Sequence, residues 1–248
     1  MKIYYTIRAD VISSTKNKKD QELFKIIDHI KANKHLINDK NILVQLTKRS
    51  GDEIFGVYSD AFDFVMTYTL LIQAAKIYKV PLSVGLGKGT LESISSHEEE
   101  VNGESIWLST EALELVKKHI KYDERINKNL SVKIVTNQEN NKAIQTILYI
   151  LSEKLSKRTV DQIEAVRLVT KYPDKQYYEL YNMLENTIDD QSDIDNKRIK
   201  FTKYLSRAEH LIINDLIKLL VGILKEGSWN VTFNYINSPF FRRFSIAK

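Results

Sequence analysis

The chain of 248 residues carries 37 basic and 32 acidic side chains, a net charge of +5, and no cysteine. The lack of cysteine excludes disulfides and thiolate metal sites and favours a cytoplasmic protein. Because no uncharged apolar run approaches the roughly 20 residues that a membrane helix needs, we expect no membrane partner. The small net charge also excludes a uniformly basic surface, so any nucleic-acid contact must come from a local basic stripe.

The first half of the chain alternates strand and helix patterns in the order β-α-β-β-α-β. Alternating apolar residues predict strands, and apolar residues spaced by three or four predict helices. The predicted strands are Lys2–Ala9, Asn41–Arg49, Glu53–Tyr58 and Leu82–Gly89, and the predicted helices between them are Lys19–Leu36 and Ser59–Lys79. Only three residues separate the second and third strands, which therefore form an antiparallel hairpin. The order is that of a split βαβ, or ferredoxin-like, sheet.

A change of pattern after this half predicts a second domain. A helix at Gly103–Ile120 and a strand at Leu130–Asn137 still belong to the first pattern, whereas Gln138–Gly227 is almost wholly helical. We therefore expect an α+β fold in which a ferredoxin-like domain at residues 1–140 is followed by an all-α domain at residues 141–248.

Two acidic residues are expected to meet at one edge of the sheet. Asp10 follows the first predicted strand, and Asp52 lies on the hairpin that leads into the third. The first and third strands of such a sheet are neighbours, so their antiparallel pairing brings the two carboxylates together. Carboxylates held close together repel one another, and a divalent cation such as Mg²⁺ or Mn²⁺ relieves that repulsion. Because side chains alternate along a strand, Glu53 is expected on the opposite face, and Asp52 is the preferred ligand.

A purely structural interpretation of the same residues stays open. Aspartate is common after a strand, and "SGD" (Ser50–Asp52) is ordinary turn chemistry. Asp10 could also pair with Arg8, its neighbour on the same face of the first strand. On this interpretation the acids stabilise a turn and an ion pair, and no metal binds.

Four segments in the first half resemble the motifs of class III nucleotidyl cyclases. They are "ADVISST" (9–15), "LTKRSGDEIFGVYSDAFDFV" (46–65), "LSVGLGKGTL" (82–91) and "NGESIWLSTEALELV" (102–116). The first two motifs supply metal-binding aspartates in that family, so the resemblance implies that Asp10 and Asp52 bind metal. It also implies a nucleotide beside them, whose candidate contacts are Ser13, Ser14, Lys16 and Gly51. For Lys16, a solvated loop lysine is the alternative.

The sequence departs from the cyclase pattern in the last of these segments. There the family has an Asn and an Arg that hold the ribose and the transition-state phosphate, and Trp107 and Glu111 occupy those positions here. A glutamate repels a triphosphate. Three functions therefore stay open. The chain could be a binding module for metal and nucleotide, or a metal-dependent nucleotidyl cyclase or nucleotidyltransferase whose missing Asn and Arg are replaced from a dimer partner. It could also be a scaffold in which these motifs are vestigial and neither ligand nor DNA binds.

Over nearly the whole chain, the same motifs followed by a helical tail resemble the SatD family of bacterial proteins. In that family a cyclase-like domain precedes a C-terminal helix-turn-helix, so the resemblance implies a regulatory protein that binds double-stranded DNA. Arg158–Tyr172 and Gln176–Ile188 resemble the first two helices of that unit. The aromatic segment Trp229–Phe244 is expected to pack against a neighbour across a homodimer.

A basic helix is predicted after these two. Its cations are expected along one side of the helix, at Lys197, Lys200, Lys203 and Arg207. The opposite side is expected to form an apolar stripe of Phe201, Leu205, Ala208 and Ile212. A DNA-reading helix is built in this way, with the apolar side inward and cations toward phosphates. A solvated amphipathic helix, whose charges suit the helix dipole, is the alternative.

Overall fold

The computed structural model describes residues 2–12, 20–49, 53–95, 100–118, 125–187 and 193–226. The chain divides into two compact units. The sheet unit contains the described residues up to Ser156 together with the end of the last helix from Leu220. The helical unit contains the described residues of Lys157–Leu219. The fold is mixed α+β, as the sequence predicted.

The sheet unit is built around one mixed sheet of six strands. The strands are β1 (Tyr4–Val11), β2 (Ile42–Lys48), β3 (Glu53–Tyr58), β4 (Leu82–Gly89), β5 (Arg125–Asn127) and β6 (Leu130–Thr136). They lie in the order β2-β3-β1-β4-β6-β5, and only the β4–β6 pair among the described strands is parallel. The predicted antiparallel pairing of the first strand with the third is confirmed.

The helices of the sheet unit include one that is almost completely buried. They are α1 (Asp20–Ala32), α2 (Ala61–Ile77), α3 (Glu104–Lys118) and α4 (Asn141–Lys157), with 3₁₀ turns at Lys34–Leu36 and Asp39–Asn41. Every residue of α2 from Ala61 to Ala75 is buried, as expected for a helix that is apolar on all sides. The Asp60 carboxylate caps its first turn by accepting hydrogen bonds from the backbone amides of Phe62 and Asp63.

Helix α3 lies directly on β4 because glycines leave room for its backbone. A Cβ atom at Gly87 would lie 2.1 Å from the backbone oxygen of Ser105, and one at Gly85 would lie 2.4 Å from the backbone nitrogen of Leu113. The later helix residue therefore meets the earlier strand residue, so α3 runs antiparallel to β4. Its last turn consequently lies toward the beginning of β4, which pairs with the end of β1.

Helix α4 belongs to the sheet unit, although its sequence falls in the predicted all-α domain. The side chain of Gln145 accepts a hydrogen bond from the backbone amide of Ile134 at 3.0 Å and donates to the carbonyl of Val132 at 3.1 Å. The hydroxyls of Ser152 and Tyr68 share a buried hydrogen bond of 2.5 Å. These bonds attach α4 to β6 and α2, so the sheet unit extends beyond residue 140.

The described elements of the helical unit are helices around a small apolar core. They are α5 (Val160–Lys171), α6 (Tyr177–Leu184), α7 (Ile194–Arg207) and the first part of α8 (His210–Glu226). The core is formed by Ala165, Leu168, Leu180, Phe201 and Leu205. Thr159 begins α5 with a capping box that it forms with Gln162, which explains where this helix starts.

Candidate functional site

The end of β1 meets the beginning of β3 at one end of the sheet. Asp10 is paired in register with Glu53, and residues directly opposite one another in an antiparallel pair project from the same face. The acid that faces Asp10 across the strands is therefore Glu53. The expectation that Glu53 lies on the face away from the site is wrong, because the register of the β1–β3 ladder decides which residues share a face.

The other predicted members of this site belong to the segment after β1 and to the connection between β2 and β3. Asp52, Gly51, Ser13, Ser14 and Lys16 lie outside the described residues. The strands that flank the hairpin are described, and the backbone amide of Arg49 donates to the carbonyl of Glu53 at 2.7 Å. The residue that follows β2 therefore lies at the same end of the sheet at which Asp10 ends its pairing with β3.

Both described acids of this site are paired with cations. Asp10 forms an ion pair with Lys117 on the last turn of α3, and its side chain is 16% exposed. Glu53 accepts a hydrogen bond of 2.5 Å from Nη1 of Arg8. These ion pairs therefore join Arg8 to Glu53 and Lys117 to Asp10. No local sequence signal marks Lys117 as a partner of Asp10, because the contact depends on how α3 packs against the sheet.

The face of β1 that carries Asp10 also carries Arg8, whose guanidinium is largely buried. Its Cζ lies 5.1 Å from the centre of the Phe55 ring, and the Cζ of Arg49 lies 5.2 Å from the same ring centre. Burial lowers the pKa of Arg8, the charge of Arg49 lowers it further, and Glu53 opposes both effects. The hairpin end of the sheet therefore combines carboxylates with a pair of guanidinium groups.

Trp107 and Glu111, which stand where cyclases have the Asn and Arg that clamp the substrate, lie on the outer side of α3. Trp107 is half exposed, and its indole nitrogen donates to the side chain of Asn102 at 2.8 Å. Glu111 is exposed to solvent. The cation that α3 brings to Asp10 is Lys117, more than one helical turn beyond Glu111.

The donors at the end of β1 suit a hard divalent cation. Mg²⁺ is commonly held by one or two carboxylates, with water and substrate phosphates as its remaining ligands. Of the two described carboxylates, Glu53 is held by the guanidinium of Arg8, whereas the cation beside Asp10 is the lysine Lys117. Among the described residues, no group of three or more His, Asp or Glu side chains is placed to hold a metal ion. Among the described residues, Asp10 is therefore the carboxylate available to such a metal, and its other ligands would have to be water, phosphate or residues outside the described ranges.

The cations proposed to contact DNA do not all lie on one side of α7. Lys200, Lys203 and Arg207 are exposed, whereas Lys197 is only 8% exposed and lies on the buried side with Phe201. The predicted apolar stripe of α7 also ends before Ile212, because this residue belongs to α8 and is 50% exposed. The exposed basic surface of α7 is therefore narrower than the sequence suggested.

Comparisons with known proteins do not identify a family for this chain. A scan against protein-family models found no match, and a search of curated proteins found none either. No helix in the described part of the chain is long and apolar enough to cross a membrane.

Proposed function

We propose that this chain is a SatD-like regulatory protein whose cyclase-like domain binds a divalent metal and a nucleotide. Its helical domain contacts double-stranded DNA. The observation that carries the proposal is the position of Asp10. Asp10 is the next-to-last residue of β1, stands in register with the first residue of β3 and is neutralised by a lysine that a metal ion can replace.

The order of elements supports a ferredoxin-like or cyclase-like domain. The strands β2, β3, β1 and β4 are adjacent and mutually antiparallel, as the β-α-β-β-α-β order requires for that arrangement. This arrangement supports the proposal because Asp10, in the first cyclase-like segment, pairs in register with Glu53, in the second. The all-α C-terminal domain is supported by the helices α5, α6 and α7.

Asp10 is the residue to which we assign the metal ion, Mg²⁺ or Mn²⁺, and Asp52 on the hairpin is its proposed second ligand. The metal, when bound, neutralises the charge of the nucleotide phosphates. Lys117 keeps the Asp10 carboxylate neutralised when metal is absent, because the two side chains are ion-paired. Ser13, Ser14, Lys16 and Gly51 are the proposed nucleotide contacts.

The test is a thermal-shift screen of nucleoside triphosphates with Mg²⁺ or Mn²⁺. Binding to the native state alone raises the melting temperature, so the wild type should be stabilised by metal and nucleotide together. Asp10→Asn should abolish this stabilisation. Asp39→Asn removes an exposed carboxylate from a 3₁₀ turn and should leave it unchanged. A wild type that no nucleotide stabilises, or an Asp10→Asn variant that behaves like wild type, contradicts the proposal.

The alternative function is a metal-dependent nucleotidyl cyclase or nucleotidyltransferase. One observation favours it: α3 brings a cation to the acidic site through Lys117, although Trp107 and Glu111 stand at the usual clamp positions. The remaining clamp would come from the second copy in a homodimer. This function predicts release of pyrophosphate from a nucleoside triphosphate by the wild type and none by Asp10→Asn, whereas a binding module releases none in either case.

A further inference from the structure

Two arginines lie against a single aromatic ring near the hairpin end of the sheet. Arg8 is the cross-strand partner of Phe55, and Arg49 follows β2 on the other side of β3. Their Cζ atoms lie 5.1 and 5.2 Å from the ring centre, so the two guanidinium groups are within about 10 Å of one another. Two cations are thus held at one place on the sheet.

The described carboxylates neutralise only part of this pair. Nη1 of Arg8 donates to Glu53, but its Nε is buried and has no hydrogen-bond partner among the described residues. Within the same residues Arg49 has no ion pair, and its guanidinium contacts the ring of Phe55. A buried guanidinium nitrogen without a hydrogen-bond partner lowers the stability of the fold. The described site therefore contains positive charge and hydrogen-bond donors that no described carboxylate engages.

A phosphate group would complete this arrangement. Guanidinium groups donate two parallel hydrogen bonds to phosphate oxygens, and arginine suits such sites because its fork of donors is rigid. Arg8 lies two residues before Asp10 and on the same face of β1. A polyphosphate held by the two arginines would therefore lie beside the carboxylate to which the metal is assigned.

We propose that Arg8 and Arg49 form a polyphosphate-binding subsite next to Asp10. The identity of the ligand as the triphosphate of a nucleotide rests on the proposed function, whereas the recognition of a polyphosphate anion does not require metal. The subsite supplies positive charge to the phosphates from β1 and β2, since the clamp positions of α3 hold Trp107 and Glu111. The competing explanation is that the arginines only stabilise the hairpin through Phe55 and Glu53.

The experiment measures binding of inorganic tripolyphosphate by calorimetry in the presence of EDTA. Arg49→Gln should weaken binding by about tenfold or more, as expected for a lost charge-assisted hydrogen bond. Lys48→Gln is the matched control, because Lys48 precedes Arg49 and also lies over an aromatic ring, that of Phe24 in α1. It removes the same charge from the adjacent position and should weaken binding by less than about twofold.

A second variant tests the buried arginine. Arg8→Lys retains the charge but removes the guanidinium fork, so it should also weaken tripolyphosphate binding while a melting curve verifies that the variant is folded. Equal losses in Arg49→Gln and Lys48→Gln, or no tripolyphosphate binding by the wild type, would overturn the subsite.

These results are distinguishable from a failure of the proposed function. Asp10→Asn should still bind tripolyphosphate in EDTA, because the subsite needs no metal, but should no longer be stabilised by nucleotide with Mg²⁺. If stabilisation by nucleotide and metal requires Asp10 while tripolyphosphate binding is indifferent to Arg49, the subsite is wrong and the proposed function stands. If tripolyphosphate binding requires Arg49 while no nucleotide with metal stabilises the protein, the subsite stands alone.

Discussion

Lys117 and Lys118 are adjacent residues on the last turn of α3, but they have different partners. Lys117 pairs with Asp10 of β1, whereas Lys118 pairs with Glu114 on its own helix at 2.9 Å. Under the proposed function a divalent cation at Asp10 has to displace the ammonium group of Lys117. Lys117→Met should therefore raise the affinity for Mn²⁺ by about two- to fivefold, the range expected for a partly exposed ion pair.

The matched control for this substitution is Lys118→Met, with both variants measured by calorimetry. It removes the same charge from the same helical turn without changing the partner of Asp10, so its affinity for Mn²⁺ should stay within error of wild type. Wild-type affinity in Lys117→Met would show that the lysine does not compete with metal. That result would count directly against the assignment of the metal to Asp10.

His210, the first residue of α8, should make the protein sensitive to acid. Burial lowers the pKa of His210 to about 4, and the positive charge of Arg158 acts in the same direction. The amide nitrogen of Asn214 lies 3.3 Å from Nε2 and can donate to it only while the ring is neutral. The buried side chain is therefore adapted to its uncharged form.

The sign of the pH effect follows from these pKa values. An unfolded histidine binds its proton near pH 6.5 and the folded one only near pH 4, so the unfolded state binds more protons between them. The contribution of His210 to the free energy of unfolding is complete above pH 6.5 and is lost as the pH falls through 4. It amounts to about 3 kcal/mol for a shift of this size.

Urea unfolding of wild type and His210→Gln at pH 7, 5.5 and 4 measures this contribution. The wild type should lose about 3 kcal/mol more than the variant over this range. His35→Gln changes an exposed histidine and should retain the wild-type pH dependence. Parallel curves for His210→Gln and wild type would show that the imidazole is not the group responsible.

The position of Lys117 depends on the contact between helix α3 and strand β4. An alanine at Gly87 would place its Cβ 2.1 Å from the backbone oxygen of Ser105, and a backbone atom in a helix cannot rotate away. Gly87→Ala should therefore force α3 off the sheet and lower the free energy of unfolding by about 1–3 kcal/mol, as overpacking does. The measurement is chemical denaturation.

Gly56→Ala in β3 provides a comparison on another strand. Its Cβ would lie 2.9 Å from Cδ1 of Leu46, the far end of a side chain that can move, so it should destabilise the protein less than Gly87→Ala. A smaller loss for Gly87→Ala than for Gly56→Ala would mean that α3 does not rest on the glycines of β4 as described.

Across the whole molecule, neighbouring strands could be predicted, but their register could not. The pairing of β1 with β3 follows from the β-α-β-β-α-β order, because short connections leave few alternative sheets. The alternation of side chains along a strand shows which residues of that strand share a face. The register of the β1–β3 pairing determines which residue of β3 lies opposite Asp10. The sequence therefore identified Asp10 as a candidate and misjudged Glu53.

Contacts between segments that are far apart in the chain also could not be predicted from the sequence. Nothing near Lys117 in the chain marks Asp10 as its partner. The residues of α4 have a helical pattern, and the bonds of Gln145 to β6 are not visible in that pattern. The strand β5 has three residues, which is too short for an alternation signal.

A regulator of the proposed kind needs a DNA contact as well as a nucleotide site, and α7 offers the cations for it. Lys200 and Lys203 are exposed, while Lys197 is buried beside the core of the helical unit. Each lysine that contacts a phosphate releases about one counterion, so it steepens the dependence of log affinity on log salt concentration by roughly one. Lys200→Gln with Lys203→Gln should therefore lower that slope by about two.

Fluorescence anisotropy with a labelled duplex at several salt concentrations gives this slope for the wild type and the variants. Lys171→Gln removes an exposed lysine from α5 of the same unit and should leave the slope nearly unchanged. If the double variant and Lys171→Gln reduce the slope equally, attraction to DNA comes from the general charge of the unit, and α7 has no special part in it. If the wild type does not bind the duplex, the basic side of α7 is a solvated helix face. The proposed contact between the helical domain and DNA is then wrong.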